Sequence, residues 1–427
     1  MPTPVETAVV PVDPYALIYA RPGGLPRLES PPQTERIHTR RRALQPIYLD
    51  HAATTAMRPE VVEAMLPYFQ DSFGNASSAH RWGRQARNAL EQARERLAAA
   101  LGAKRREIVF TGSGTEADNI AVLGRWRTAC REGTRGAIVC SAVEHKAVGA
   151  AAKEAGHDGA SVILLAVDEN GRVELGSLDE ALAANPCVVS VMWGNNEVGT
   201  VQPVYEIAER CRSRGVPFHT DAVQAFGKVR VNVSELPCDL LSLSAHKISG
   251  PKGIGALFIR EGVSVLPLTH GGGQERQLRP GTENVASAVG FAVAAELAVR
   301  EQEEEYARLS ALRARLEEGL KSRVPDLSIN GGGAERLPHV LNVTVPGADQ
   351  ESLLIGLDLE GIAVSGASAC QTGSASPSHV LTAMGQLMSD AASIRFSLGR
   401  TTTEEEIERT LEVVPRVIAR MRVEASA

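Results

Sequence analysis

The sequence predicts an α/β protein, a mostly parallel sheet covered by helices on both faces, followed by a smaller α+β domain. Three observations carry that expectation. Helical and strand-like segments alternate from about residue 84 onward. The strand-like runs are almost continuously apolar, as strands buried on both faces are. After about residue 300 the pattern changes to separated strands and a long amphipathic end.

In chain order, "RQARNALEQARERLAAAL" has helical spacing and "EIVFTG" is a short run stopping at glycine. "GAIVCSAVEH", "SVILLAVD", "CVVSVMWGNNE", "VPFHTDAVQ" and "DLLSLSAHK" are of strand length, with helix-like stretches such as "VYEIAERCRSRG" between several of them. Together these predict a large α/β domain over residues 57–300. The segment "ASAVGFAVAAELAVREQEEEYARLSALRARLEEGLKSR" passes from apolar to charged, which predicts one long helix leaving the first core for a second. Beyond it "HVLNVTVPG", "GIAVSGASAC" and "ASIRFSLG" are strand-like, and "TEEEIERTLEVVPRVIARMRVEA" is an amphipathic helix opening at a threonine cap. Residues 46–56 with 301–427 are expected to make the smaller domain, and the Pro- and Gly-rich residues 1–45 an extended arm.

Composition excludes several classes. A chain of 427 residues with net charge -6 does not offer a broad nucleic-acid surface, and the basic cluster of Arg36, Arg40, Arg41 and Arg42 reads as solvated. No membrane span is expected, because even "AVGFAVAAELAV" is broken by Glu296. Acidic Glu6 and Asp13 stand where a secretory peptide needs a basic start. The six cysteines form no CxxC pair and no ligand spacing, which argues against metal and disulfides and for a reducing, cytoplasmic setting.

Ligands of such sheets bind at the carboxyl ends of strands, and here those ends are polar. They carry Thr111 to Glu116, then Glu144 and His145, then Asn195, Asn196 and Glu197, then Asp221 with Gln224, and lastly Ser244, His246 and Lys247. Any one of these sets reads equally well as a helix cap or a satisfied buried group, but five at matching positions do not all reduce to caps. "TGSGTEADN" opens a helix and offers free backbone N–H groups to a phosphate, although it lacks the endings of the nucleotide-binding loops.

Lys247 discriminates between the possibilities. A lysine closing a buried strand bears a desolvation cost unless it is neutral, paired or covalently bound. An imine to an aldehyde removes that cost, and pyridoxal 5'-phosphate supplies the aldehyde. It also needs a phosphate cradle, for which Gly114, Thr115, Ser244 and His246 are suited; a carboxylate for its ring nitrogen, Asp221; and a ring against its face, His145.

The segments "YLDHAATT", "FGNASSAH", "EIVFTGSGTEADN", "NNEVGT", "HTDAVQAFGK", "LSAHKISGPKGIGALFIR", "GGGQERQLRPGTEN", "SGASAC" and "IRFSLGRTTTEEE" resemble, in order and spacing, the signatures of cysteine desulfurases, from about Tyr48 to the end. These belong to class V of the fold-type I pyridoxal-phosphate enzymes. The resemblance implies that Lys247 carries the cofactor as a Schiff base, Asp221 pairs with its nitrogen and His145 stacks on it. Gln224 and Asn196 then lie near the ring oxygen and substrate, and Gly114, Thr115, Ser244 and His246 near the phosphate. It implies a homodimer in which Thr282 reaches the neighbouring subunit's phosphate. Arg395, helped by Asn75, holds the carboxylate of L-cysteine. Cys370, in a segment of small and polar residues resembling the family's longer-loop group, takes the substrate sulfur as a persulfide for an acceptor protein serving iron–sulfur clusters, cofactors or transfer RNA. Gln371 and Thr372 depart from the Thr-Ser pair usual in that group, and the chain ends without the longer tail by which some members meet a scaffold. The same residues leave open a selenocysteine lyase or another class V enzyme, and, from a different class, a non-catalytic partner-binding scaffold.

Overall fold

The computed structural model describes residues 46–134, 136–366, 378–386 and 391–425. The expected arm and Cys370, with Gln371 and Thr372, lie outside the described residues.

Strand β1 (Ile47–Tyr48) leads to helices α1 (Pro59–Met65), α2 (Pro67–Gln70) and α3 (Arg81–Leu101). Strands and helices then alternate as β2 (Ile108–Thr111), α4 (Gly114–Glu132), β3 (Ile138–Ser141), α5 (Lys146–His157), β4 (Val162–Leu165), α6 (Leu175–Leu182), β5 (Val188–Ser190) and α7 (Val204–Ser213). Three further strands follow, β6 (Phe218–Asp221), β7 (Leu240–Ser244) and β8 (Gly255–Ile259). Helices α8 (Val285–Arg300) and α9 (Gln302–Arg323) lead to β9 (Ser328–Ile329), β10 (Val340–Pro346), α10 (Gln350–Leu359) and β11 (Ile362–Ala363). The described chain closes with α11 (His379–Ala383), β12 (Ala391–Ser397) and α12 (Glu404–Ala425).

The apolar runs form strands because both of their faces are covered. Every residue of β2, β3, β5, β6, β7 and β8 is buried, whereas β4 lies at the edge and is partly exposed. The seven-stranded sheet has the order β2-β8-β7-β6-β5-β3-β4, with β4, β3, β5, β6 and β7 mutually parallel and β8 antiparallel to both neighbours. One face packs against α1, α3 and α8, the other against α4 and α5. Strand β8 is absent from the sequence reading: its run "GALFI" continues a glycine-rich turn and carries no separate boundary signal.

A second apolar cluster gathers Ile47 and Leu49 with the inner faces of α9, β10, α10, β12 and α12. Helix α12 opens as expected, with Thr403 Oγ1 accepting from Glu406 N at 3.2 Å and Glu406 Oε2 accepting from Thr403 N at 2.9 Å. The single long helix expected between the two clusters is instead two. It breaks at Glu301 (φ -95°, ψ 0°), whose carboxylate accepts both Arg58 Nη1 at 2.7 Å and Arg58 Nη2 at 2.9 Å. That bidentate pair fixes the bend where the buried apolar helix gives way to the charged one.

The turn before α8 is strained. Glu275, Arg276 and Gln277 all have positive φ (44°, 57° and 66°), a conformation costing about 1–2 kcal/mol for each non-glycine residue. What holds it is buried: Arg94 donates to both Glu275 oxygens at 2.6 and 2.7 Å, and Phe110 N donates to Glu275 Oε2 at 2.8 Å. Substituting Glu275→Ala leaves the Arg94 guanidinium buried and should cost about 3–5 kcal/mol in denaturant unfolding, while a loss within about 1 kcal/mol would mean the turn is held by something else.

Candidate active site

Because β2, β3, β5, β6 and β7 run the same way, their polar carboxyl ends meet at one edge of the sheet. After β2, Ser113 caps α4 by accepting from Glu116 N at 3.1 Å, so the positive end of a 19-residue helix opens at this edge. Gly114 is buried there, and a Cβ on it would lie 2.8 Å from Val223 Cγ2 and 3.4 Å from Ser244 Cβ. Thr115 is exposed beside it. After β3, His145 Nδ1 accepts from Ala147 N at 3.2 Å and opens α5. Asp221 closes β6 in a buried position, its Oδ1 accepting from Val223 N at 2.9 Å. Asp118, His145 and Asp221 each bring one ligand-capable atom within 4.8 Å of the others.

The loop after β1 arches over this edge. Lys247 Nζ donates to the carbonyls of Ala52 at 2.5 Å and Ala53 at 2.7 Å, and Gln224 Nε2 shares the Ala52 carbonyl at 2.9 Å. His246 Nδ1 lies 3.1 Å from Thr54 Oγ1. Arg395, on β12 and 2% exposed, donates through Nη2 to Asp50 Oδ1 at 2.8 Å and through Nη1 to the Asn196 carbonyl at 2.9 Å, while its Nε is buried with no hydrogen-bond partner among the described residues. The sequence-expected Lys247, Asp221, His145, Gln224, Ser244 and Gly114 thus gather at the sheet edge, with Arg395 and Asn196 joined to each other. Asn75 is exposed, its Oδ1 accepting from Ser77 N at 2.8 Å within its own turn. Thr282 is exposed, next to Gly281 with φ 113°.

Just after the segment that bears Cys370, Ser378 Oγ donates to Glu197 Oε2 at 2.5 Å, and His379 Nε2 lies 2.9 Å from the Glu144 carbonyl. These two bonds tie α11 beside His145 and Asn196. The reading by sequence overlooked three participants: Asp50, the carbonyls of Ala52 and Ala53, and Asp118. Their only signal was position, within "YLDHAATT" and "TGSGTEADN".

Burial sets the charges. It pushes the Asp221 carboxyl up, and His145 and Lys247 pull it back down. Asp118 is raised well above the carboxylate range by burial and by the charge of Asp221. Glu144 is pushed up to about 8, chiefly by burial, with Ser141 and Met192 N as its hydrogen-bond donors. His246 falls to about 4 through burial and the nearby lysines, so it stays neutral near pH 7. Burial also drives the thiols up, to about 12 for Cys140, Cys211 and Cys238 and about 11 for Cys187, which leaves them inert as nucleophiles.

This donor set fits pyridoxal phosphate. A buried carboxylate faces a histidine, a lysine amine stands at the same edge, and the approach of α4 at Gly114 leaves room for no larger residue at the helix end. Asp118, raised by burial, is a poor metal ligand, so the same trio suits a ring nitrogen better than a cation.

Comparison with known proteins agrees in class. The family model described as aminotransferase class-V matches residues 47–410. Cysteine desulfurase IscS of Dictyoglomus turgidum is 45% identical over 378 residues, spanning 88% of this chain and 95% of that protein. A solved NifS-like protein superposes with a TM-score of 0.82 at 36% identity, covering 88% of this chain and all of that one. The structure of SspA in complex with cysteine gives a TM-score of 0.70 at 35% identity, over 82% of this chain and 98% of that one. The chain belongs to the class-V aminotransferase family of fold-type I enzymes and, within it, to the cysteine desulfurases. The expected fold class is borne out.

Two outcomes check this electrostatic account. Glu144 has a raised folded-state value, so its protonated form stabilises fully below the ordinary 4.5 and that contribution is lost as pH rises towards about 8. Glu144→Gln has no such loss, so its stability relative to wild type should rise across that range by at most about 1.4 kcal/mol per pH unit in urea unfolding. Gly114→Ala should keep the far-ultraviolet circular dichroism but weaken cofactor binding by about tenfold or more, since the helix end must shift by a few tenths of an ångström.

Proposed function

We propose that this chain moves the sulfur of L-cysteine onto Cys370 and releases L-alanine, with pyridoxal 5'-phosphate as cofactor. The observation that carries the reading is the meeting of Lys247, Asp221 and His145 at one sheet edge, in a chain belonging to the cysteine desulfurases.

When bound, the cofactor supplies an aldehyde for a primary amine and a ring that accepts the electron pair left at the substrate Cα. Lys247 would hold it covalently, and its amine, once freed, would remove the Cα proton and later return a proton. Asp221, as the anion, would keep the ring nitrogen protonated, and His145 would hold the ring face. Gln224 and Asn196 serve the ring oxygen and the substrate; Gly114, Thr115, Ser244 and His246 serve the phosphate. Arg395 takes the substrate carboxylate, for which its buried Nε and its fork at Asp50 and Asn196 are support. Asn75 would assist through its Nδ2 donor, since its Oδ1 already accepts from Ser77 N.

The Cys370 thiolate attacks the substrate sulfur. An S–S bond forms as the Cβ–S bond breaks, the electron pair stays with the three-carbon fragment, and that fragment takes up protons to leave as alanine. Four of the other five cysteines are disqualified by burial, which favours Cys370. The free state of the described cysteines favours a reducing, cytoplasmic setting. Among the described residues no helix is long and apolar enough to cross a membrane. The persulfide then passes to an acceptor protein for iron–sulfur or other sulfur-containing products. The working unit is a homodimer with Thr282 at the other subunit's phosphate site; exposed Phe69, Phe73 and Trp82 support a covered face.

Purified protein given L-cysteine and a thiol reductant should release alanine and sulfide in equal amounts. Cys370→Ala should keep the cofactor and bind cysteine without forming persulfide, and Lys247→Ala should lose both the visible cofactor band and turnover. Arg395→Ala should raise KM by about 30-fold or more. A wild type that holds its cofactor yet makes no alanine from cysteine would point to selenocysteine or another amino acid.

A further inference from the structure

Asp118 lies one turn into α4 from Gly114 and is 1% exposed. Nothing in the chemistry above uses it. Its Oδ1 is buried with no hydrogen-bond partner among the described residues; the nearest cation candidate, His219 Nε2, is 3.7 Å away. The carboxyl group does receive the Ser242 hydroxyl. With its proton committed there, Ser242 Oγ accepts from His219 Nε2 at 2.9 Å, and His219 Nδ1, at 2.8 Å, accepts from Ser190 Oγ. His219 is therefore a neutral link in a one-way chain running from Ser190 to Asp118, and it brings no positive charge.

Two buried carboxyl groups this close do not both ionise; one keeps the proton. The surroundings decide which. Asp221 faces Lys247 and His145 and accepts Val223 N–H, all of which favour its anion. Asp118 has the Ser242 hydroxyl and neutral His219 beside it, the charges of Asp221 and Glu144 raise it further, and no cation lowers it as His145 and Lys247 lower Asp221. A proton on the Asp118 carboxyl also makes it a donor, and one of its oxygens lies within 4.8 Å of ligand-capable atoms of Asp221 and His145.

Resting on the cofactor placement above, we propose that Asp118 is a positioning residue for Asp221, a carboxylic acid that serves as a neutral hydrogen-bond donor behind the carboxylate paired with the ring nitrogen. It keeps Asp221 anionic and oriented without adding a second negative charge.

The test compares holoenzyme from wild type, Asp118→Asn, Asp118→Val, Ser242→Ala and Asp221→Asn, reading the dissociation constant for pyridoxal phosphate and the pH midpoint of the visible cofactor band. Asn is neutral, similar in shape and a donor, so Asp118→Asn should stay within about threefold of wild type in affinity with an unchanged midpoint. Asp118→Val should bind about tenfold more weakly with a displaced midpoint, and Ser242→Ala should displace it in the same direction by less. If Asp118→Val does not fold, Asp118→Asn and Ser242→Ala carry the test alone. Asp118→Asn as weak as Asp118→Val, or about tenfold weaker than wild type by itself, overturns the proposal, as does a Ser242→Ala protein with an unmoved midpoint. Undiminished affinity in Asp221→Asn would overturn the cofactor placement as well, a pattern distinct from failure at Asp118 alone.

Discussion

Charge buried at the carboxyl edge of a parallel sheet is the constraint on which the rest of the structure depends. A parallel sheet covered on both faces excludes water from its interior, and its like-directed strands must all end on the same side. The polar residues that end them are forced together where solvation is poor, and each must find a partner or change its protonation. Lys247 is held by two main-chain carbonyls, Asp221 by a turn N–H, and His219 by two serines. Asp118 and Glu144 respond by holding protons more tightly.

The site also joins the two apolar clusters. Ile47 and Leu49 belong to the second cluster, yet the residues directly after them supply the carbonyls that Lys247 and Gln224 use. Asp50 reaches Arg395 on β12, and Arg395 reaches back to Asn196 after β5. A shift of one cluster against the other would therefore move Arg395 relative to Lys247. The strained turn at Glu275 also connects to the site: Arg279, just after it, pairs with Glu116, which also receives Gly112 N at the start of α4.

The partition of thiols follows from the same physics. Four cysteines packed into cores cannot become thiolates near neutral pH, and they fill space as small apolar residues. Reactivity is left to residues outside those cores, while Ser378 and His379 tie the following helix to Glu197 and Glu144 beside the site.

By itself the sequence determined what is local: the parallel α/β class, most strands, a helix opening within "TGSGTEADN", the threonine cap of α12, and the polar ends carrying His145, Asp221 and Lys247. Each is a short-range pattern, an apolar run followed by a polar stop, and such patterns survive in one dimension. Only the tertiary structure decided what depends on which faces meet. Strand β8 carries no boundary of its own, and the break at Glu301 needs Arg58, which lies 243 residues away in the chain. The Asp50–Arg395 pair spans 345 residues. Asp118 is invisible to periodicity because α4 is buried on most of its sides, so no apolar stripe marks the face that meets the sheet. Its role comes from lying behind Asp221 in a place without water, and that is a property of packing, not of residue order.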